Sequence, residues 1–161
     1  MGSSPQNGKD VVDLIGSEDY EFVDLRFVDL PGLVQHFSVP VSSISEDVFT
    51  DGLFFDGSSV RGFQGIQESD MLLIPDVSTA QEDRFRDRKT LMVYCNVHDG
   101  ITGESYSRDP RNIVRKAEAH LKGTGIADTV FMGPEAEFFI FDSIRFQVAP
   151  HESFYAIASC G

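Results

Sequence analysis

Between Tyr20 and Val39 apolar and polar residues alternate on either side of Asp29-Leu30-Pro31-Gly32, and no other feature narrows the possible folds as much. Phe22, Asp24, Arg26 and Val28 fall on one side, Val23, Leu25 and Phe27 on the other. A period of two is that of a strand with one face toward a core. Pro31 presets the φ angle of a turn's first central residue, and Gly32 can take the positive φ that a type II turn needs next, so an antiparallel hairpin is expected. Pro40 ends its second strand. Further short strands are expected at Gly52 to Phe55, Met71 to Pro75 and Lys89 to Val97, with Asp99-Gly100 as the turn after the last. Ahead of the hairpin, Val11, Val12, Leu14 and Ile15 have near-helical spacing, which predicts a short helix over Lys9 to Ile15 stopped by Gly16. Residues 1–8 are small and polar and are expected to be a disordered leader.

The texture changes after residue 104. In Ser107-Arg108-Asp109-Pro110-Arg111, Asp109 is a suitable N-cap and Pro110 is tolerated at the first helical position, so a helix is expected from here to about Lys122. Ile113, Val114, Ala117 and Leu121 form its apolar stripe and Gly123 its stop. A strand is expected over Val130 to Asp142. It would carry Glu135 and Glu137 on one face with Phe139 and Phe141, and Ala136, Phe138 and Ile140 on the other. Both faces being apolar, the strand reads as covered on both sides, where a carboxylate needs a proton, an Arg or Lys, or a metal. Mg²⁺ and Mn²⁺ favour oxygen ligands, although two carboxylates cannot fill an octahedral shell. The plainer alternative is that both glutamates reach water at the strand's start.

A second acidic feature lies on the glycine-punctuated stretch from Phe54 to Met71, which carries Asp56, Ser58, Ser59, Glu68, Ser69 and Asp70. Asp56 sits where an apolar strand stops, so a rigid scaffold can hold it, and the loop's chemistry suits a cation; the bland reading is a solvated turn. The 161-residue chain has 13 Lys plus Arg against 26 Asp plus Glu, a formal charge of -13, which argues against nucleic acid as a partner. No apolar run approaches the roughly 18 residues of a membrane span, and the first residues lack the pattern of a secretory signal, so the reading is no membrane and a cytoplasmic location. Cys95 and Cys160 lack metal-like spacing, and His36, His98, His120 and His151 form no i, i+4 pair. Cys95 reads as a buried thiol and Cys160 as part of a frayed tail.

Taken together, Phe22 to Gly32 with Gln35-His36-Phe37, Phe55 to Ser59, Gly65-Ile66 with Glu68 to Met71, Ser107 to Arg111 and Gly133 to Phe138 resemble, in order, bacterial class-I glutamine synthetase. The resemblance runs from about Lys9 to about Tyr155 and corresponds to the amino-terminal third of that family. It implies an α+β chain: a β-grasp domain over residues 9–104, then, over residues 105–161, the first helix and strand of an incomplete catalytic domain. It also implies a ring of subunits in which the Asp56 loop of one completes the site of the next. The implied chemistry is ATP-dependent: the γ-carboxylate of glutamate is phosphorylated and ammonia then displaces phosphate. Asp56 would bind ammonium and take its proton, Ser59 would shape that site, and Glu135 and Glu137 would each ligate one of two Mg²⁺ or Mn²⁺ ions.

The chain also departs from the family. Ala156 and Ala158 stand where relatives usually carry His and Asp, and Phe63 where many have Trp. The family's other metal ligands, its substrate-binding arginines and most of its nucleotide pocket have no counterpart here. The reading is therefore a fragment or truncated homologue of a glutamate–ammonia ligase, inactive alone. The alternative is a non-catalytic module that docks on full-length synthetase subunits, and an unrelated acidic cation-binding protein is a third possibility.

Overall fold

Phe22–Val28 (β1) and Val34–Pro40 (β2) pair antiparallel, Phe22 opposite Pro40 and Val28 opposite Val34, in the computed structural model, which describes residues 5–159. The turn between them is offset by one residue from the expected one. Gly32 N–H donates to the Asp29 carbonyl at 3.0 Å, so Leu30 and Pro31 are the central residues and Gly32, at φ +95°, closes the turn. Asp29 sets this register from within: buried, its carboxylate accepts the Leu33 N–H at 2.7 Å and the Gln35 amide at 2.8 Å.

The chain divides between Asp128 and Thr129 into two units. In the first, the helix Gly8–Ser17 (α1) precedes the hairpin. Asn7 caps it by accepting the Asp10 N–H at 2.9 Å, so the leader expected over residues 1–8 overlaps structured chain at Asn7 and Gly8. Residues 1–4 of that leader lie outside the described residues. Gly16 does not stop the helix; it lies in its last turn, and Asp19, at φ +54°, turns the chain away beyond it. A short helix, Val48–Asp51 (α2), leads into the strands Leu53–Asp56 (β3), Asp70–Pro75 (β4), Gln81–Glu82 (β5) and Thr90–Asp99 (β6).

The sheet has the order β2-β1-β6-β4-β3, with β5 also paired to β6. The first half of β6 lies parallel to β1, from Phe22 opposite Thr90 to Arg26 opposite Tyr94. Its second half runs antiparallel to β4, with Pro75 opposite Cys95 and Met71 opposite Asp99. The central strand is hydrogen-bonded along both edges, and Leu91, Val93, Cys95 and Val97, which share one of its faces, are fully buried. They pack with Val23 and Leu25 of β1, Met71 and Leu73 of β4, and Val11 of α1. Each such side chain contributes about 1.5–3 kcal/mol by leaving water. The mixed sheet with a helix against it is β-grasp-like, as expected of the α+β class.

The helix Pro110–Thr124 (α3) follows, its N-cap Asp109 accepting the Arg111 N–H at 3.0 Å. Asp109 is fully buried because its other oxygen takes the Val97 N–H at 3.1 Å, which ties the helix start to β6. The helix passes through the expected stop at Gly123 and ends at Gly125, whose φ of +69° is left-handed.

The second unit departs most from expectation. Residues 129–141 lie in no helix or ladder, where a strand was expected from Val130 to Asp142. A strand exists through its partner's hydrogen bonds, and Pro134 has no N–H to offer one. Pairing starts beyond it, in the hairpin Ser143–Ala149 (β7) and Glu152–Ala158 (β8), with Ser143 opposite Ala158 and Ala149 opposite Glu152. The turn Pro150-His151 between alternating apolar residues was the available signal for it. No helix among the described residues is long and apolar enough to cross a membrane.

Candidate functional site

β3 ends on Asp56, and the chain turns at once into a single 3₁₀ turn, Gly57–Ser59, of which Asp56 is the cap. Asp56 Oδ1 accepts the Ser58 N–H at 2.8 Å and the Ser58 hydroxyl at 2.6 Å, while Oδ2 accepts the Ser59 hydroxyl at 2.6 Å. The carboxylate itself is exposed. The hydroxyls of Ser58 and then Ser59, with the Ser58 amide, hold it below the usual carboxylate range. Three of its four lone-pair positions are taken, which leaves one on Oδ2 for a ligand.

Across the sheet Asp56 is directly opposite Asp70, also exposed. Two like charges in register oppose pairing, so the end of β3 and β4 is a place where a cation relieves a local cost. Glu68 is exposed in a second 3₁₀ turn, Ile66–Glu68, and Ser69 contributes its carbonyl, which accepts the Gly57 N–H at 2.6 Å. The loop is thus an ordered, solvent-exposed turn in which the Asp56 carboxylate accepts three hydrogen bonds.

Arg108 and Phe63, which the sequence marked only as part of a motif and as a departure from relatives, support this loop. Arg108 Nη1 donates to the carbonyls of Gly62 at 3.0 Å and Phe63 at 2.7 Å. Phe63 is buried between Phe27 and Tyr106, with ring centroids 6.2 and 5.2 Å away. Ser107-Arg108-Asp109-Pro110-Arg111 brought Arg108 into view only as a helix preface and a block of the resemblance, because a contact to main-chain carbonyls across 45 residues leaves no spacing signal.

Glu135 and Glu137 lie on the unpaired segment and both are exposed, so the covering on two faces that the alternation predicted is absent. Phe138, Phe139 and Ile140 beside them are 80, 86 and 80% exposed. The rings of Phe139 and Phe141 do lie together, stacked at 6.0 Å and 9°. Among the described residues no group of three or more His, Cys, Asp or Glu side chains is arranged to hold a metal. The two glutamates by themselves therefore do not make a divalent-ion site, and an ion held by them needs further ligands. Cys95 is a buried thiol as expected, and burial pushes it up to about 12; Cys160 lies outside the described residues.

A β-grasp-like sheet with an acidic, serine-capped loop at one end, followed by a helix in the same unit and a hairpin in the next, defines the class: a β-grasp domain continuing into a second unit. Residues 19–100 match the family model "Glutamine synthetase, beta-Grasp domain", and residues 107–160 match "Glutamine synthetase, catalytic domain". The chain belongs to the glutamine synthetase family. It is 57% identical over 151 residues to a glutamine synthetase of Frankia alni, covering 94% of this chain and 32% of that protein. It is 59% identical over 150 residues to one of Mycolicibacterium smegmatis, covering 93% of this chain and 31% of that protein. Among solved structures it is similar to Plasmodium falciparum glutamine synthetase, with a TM-score of 0.82, 26% identity, and coverage of 98% of this chain and 30% of that one. The chain thus spans about a third of the length of the relatives it matches.

Proposed function

We propose that this chain supplies part of the active site of a cytoplasmic glutamate–ammonia ligase, with Asp56 as the ammonium-binding carboxylate. The observation that carries this reading is the Asp56 carboxylate, ionised by three donors and open at one lone pair at the mouth of its loop. In the reaction an oxygen of glutamate's γ-carboxylate attacks the terminal phosphoryl of ATP, giving γ-glutamyl phosphate and ADP. Ammonia then attacks the acyl carbon, phosphate leaves, and the nitrogen's surplus proton passes to a base. Ammonium has no lone pair, so it must be bound as a cation and deprotonated before it attacks. The hydroxyls on Asp56 favour the first task and work against the second, because a carboxylate held below its usual range is a weaker base. Asp56 is accordingly the cation binder first, with proton transfer coupled to attack; Ser58, by filling Oδ1, leaves Oδ2 as the presented oxygen, and Ser59 orients it.

Glu135 and Glu137 are proposed as one ligand each to two Mg²⁺ or Mn²⁺ ions, with further ligands from elsewhere to complete each coordination shell. Such ions, when bound, neutralise phosphate oxygens during phosphoryl transfer. Other synthetase subunits are the proposed partners, so that the loop completes a neighbour's site. The chain alone is expected to form no glutamine from glutamate, ATP and ammonium with either ion; turnover abolished by Glu135→Ala would overturn that. The Asp56 assignment is tested by titrating ammonium chloride against sodium chloride and following the Ser58 and Ser59 amide resonances. Selective shifts lost in Asp56→Asn support it, and identical responses to both salts sink it.

The uncovered side chains of the second unit, Phe131 at 94% and Phe139 at 86% exposure among them, favour a second reading: a non-catalytic module docking on full-length synthetase subunits. Co-purification with an intact synthetase that tolerates Asp56→Asn would support it, and failure to co-purify would count against it.

A further inference from the structure

We propose that Arg108, backed by Tyr106, is the positioning residue of the Asp56 loop, clamping the turn at Gly62-Phe63 so that the carboxylate is presented in one orientation. The inference rests on the reading of Asp56 as a cation-binding residue and adds what holds it in place. The loop's own backbone hydrogen bonds join its ends and cross the turn once, where Phe63 N–H donates to the Val60 carbonyl at 3.1 Å. Gly57 N–H donates to Ser69, and the Gly57 carbonyl accepts from Val60 at 3.2 Å and from Gln64 at 3.5 Å. Between them Gly62 takes a left-handed φ of +83°, and no bond within the loop fixes the Gly62 and Phe63 carbonyls.

Arg108 supplies that bond from outside. One guanidinium nitrogen reaches both carbonyls, and a charged donor makes each of these bonds stronger than a neutral one would. The segment that carries Arg108 is itself rigid. Tyr106 N–H donates to the Val97 carbonyl at 2.9 Å, and the Tyr106 carbonyl accepts the Asn112 amide at 2.8 Å. Buried Asp109, next in sequence, holds both the Val97 and the Arg111 N–H. The Tyr106 ring against Phe63 adds an apolar contact on the same turn, so the loop is gripped by two side chains, two residues apart, on a segment fixed to β6 and α3. Arg108 lies in the stretch matching the catalytic-domain model, whereas the loop lies in the stretch matching the β-grasp model. The clamp therefore couples the two halves of the family pattern through one side chain.

The test uses the whole chain, isotopically labelled, as wild type, Arg108→Ala and Arg108→Lys. Hydrogen exchange of the Val60 and Phe63 amides is compared with that of Leu73 and Val93 in the sheet, and the Asp56 side-chain carboxyl is titrated by carbon NMR. Arg108→Ala should speed exchange at Val60 and Phe63 by roughly tenfold or more with the sheet unchanged, and should move Asp56 up toward the ordinary carboxylate range. Arg108→Lys should recover part of both. A folded Arg108→Ala whose loop exchange and Asp56 titration match wild type overturns the proposal. Should Arg108→Ala not fold, Arg108→Gln decides by the same two measurements in the same directions. Ammonium chloride added to these samples separates the two claims. A loop loosened by Arg108→Ala but indifferent to ammonium in the wild type supports the clamp and overturns the cation assignment, whereas a loop unmoved by Arg108→Ala overturns the clamp whatever ammonium does.

Discussion

Asp24 lies on the face of β1 that alternation marks as polar, yet it is fully buried, accepting hydrogen bonds from Arg26 Nε at 2.8 Å, His36 Nδ1 at 2.8 Å and the Ser38 hydroxyl at 2.7 Å. Burial alone would raise its pKa; the bonds from Ser38, Arg26 and His36 outweigh that and hold it below the usual carboxylate range. Arg26 reaches on to Asp83 at 2.5 Å, so the charges pair rather than stand alone. Removing the hub leaves a guanidinium and an imidazole partly stripped of partners, and Asp24→Ala should cost about 3 kcal/mol in urea unfolding. Because the folded pKa is lowered, Asp24's contribution is present above the ordinary carboxylate value and is lost as pH falls through the lowered one. Stability should therefore decline below about pH 4, with a flatter acid limb in Asp24→Asn. The same sign applies to Asp56, whose carboxyl titration should rise in Ser59→Ala, the variant that removes the donor to Oδ2. Cys95, buried and raised to about 12, should not react with a thiol reagent in native Cys160→Ser protein and should become reactive only on unfolding.

At the scale of elements, the two glycines at the end of α3 make opposite predictions. Gly123 is helical with open space around a methyl group, so Gly123→Ala should stabilise the helix by about 1 kcal/mol. Gly125 holds the left-handed cap, so Gly125→Ala should destabilise it by about 1 kcal/mol; amide exchange along α3 reads both. That pair also marks what the sequence could convey. Periodicity located β1, β2, β4, β6 and the cap at Asp109, since each depends on local pattern or on side chains a few residues apart. The place where α3 stops depended on which of two nearby glycines takes positive φ, and composition does not say. The hairpin β7–β8 was hidden behind the stronger apolar run from Val130 to Asp142, which has the content of a strand but no neighbour among the described residues to pair with. Asp56, Ser58 and Ser59 were legible as a group because they are adjacent in the chain. Arg108 was not, since its partners are main-chain carbonyls that every residue has.

For the whole molecule, the contrast between the two units carries the expectation. The first buries a shared core; in the second, Phe146, Val148 and Tyr155 are 71, 84 and 77% exposed. Limited proteolysis should accordingly cut first within residues 129–141, the stretch without helix or ladder, and spare β1 to β6; cleavage beginning in the sheet would contradict the division. The strand that serves two neighbours has a further consequence, for the order of folding. β1 can meet its parallel partner only after the chain has passed through β3, β4 and β5, because Phe22 is opposite Thr90. Closing so long a loop is entropically costly before any contact rewards it, so the meeting of β1 with β6 is the natural rate-limiting event. Val93→Ala should then slow refolding more than it speeds unfolding, while changes in β3 do the reverse. Until β6 has emerged during synthesis, the hairpin and the Asp56 loop have no common floor to stand on.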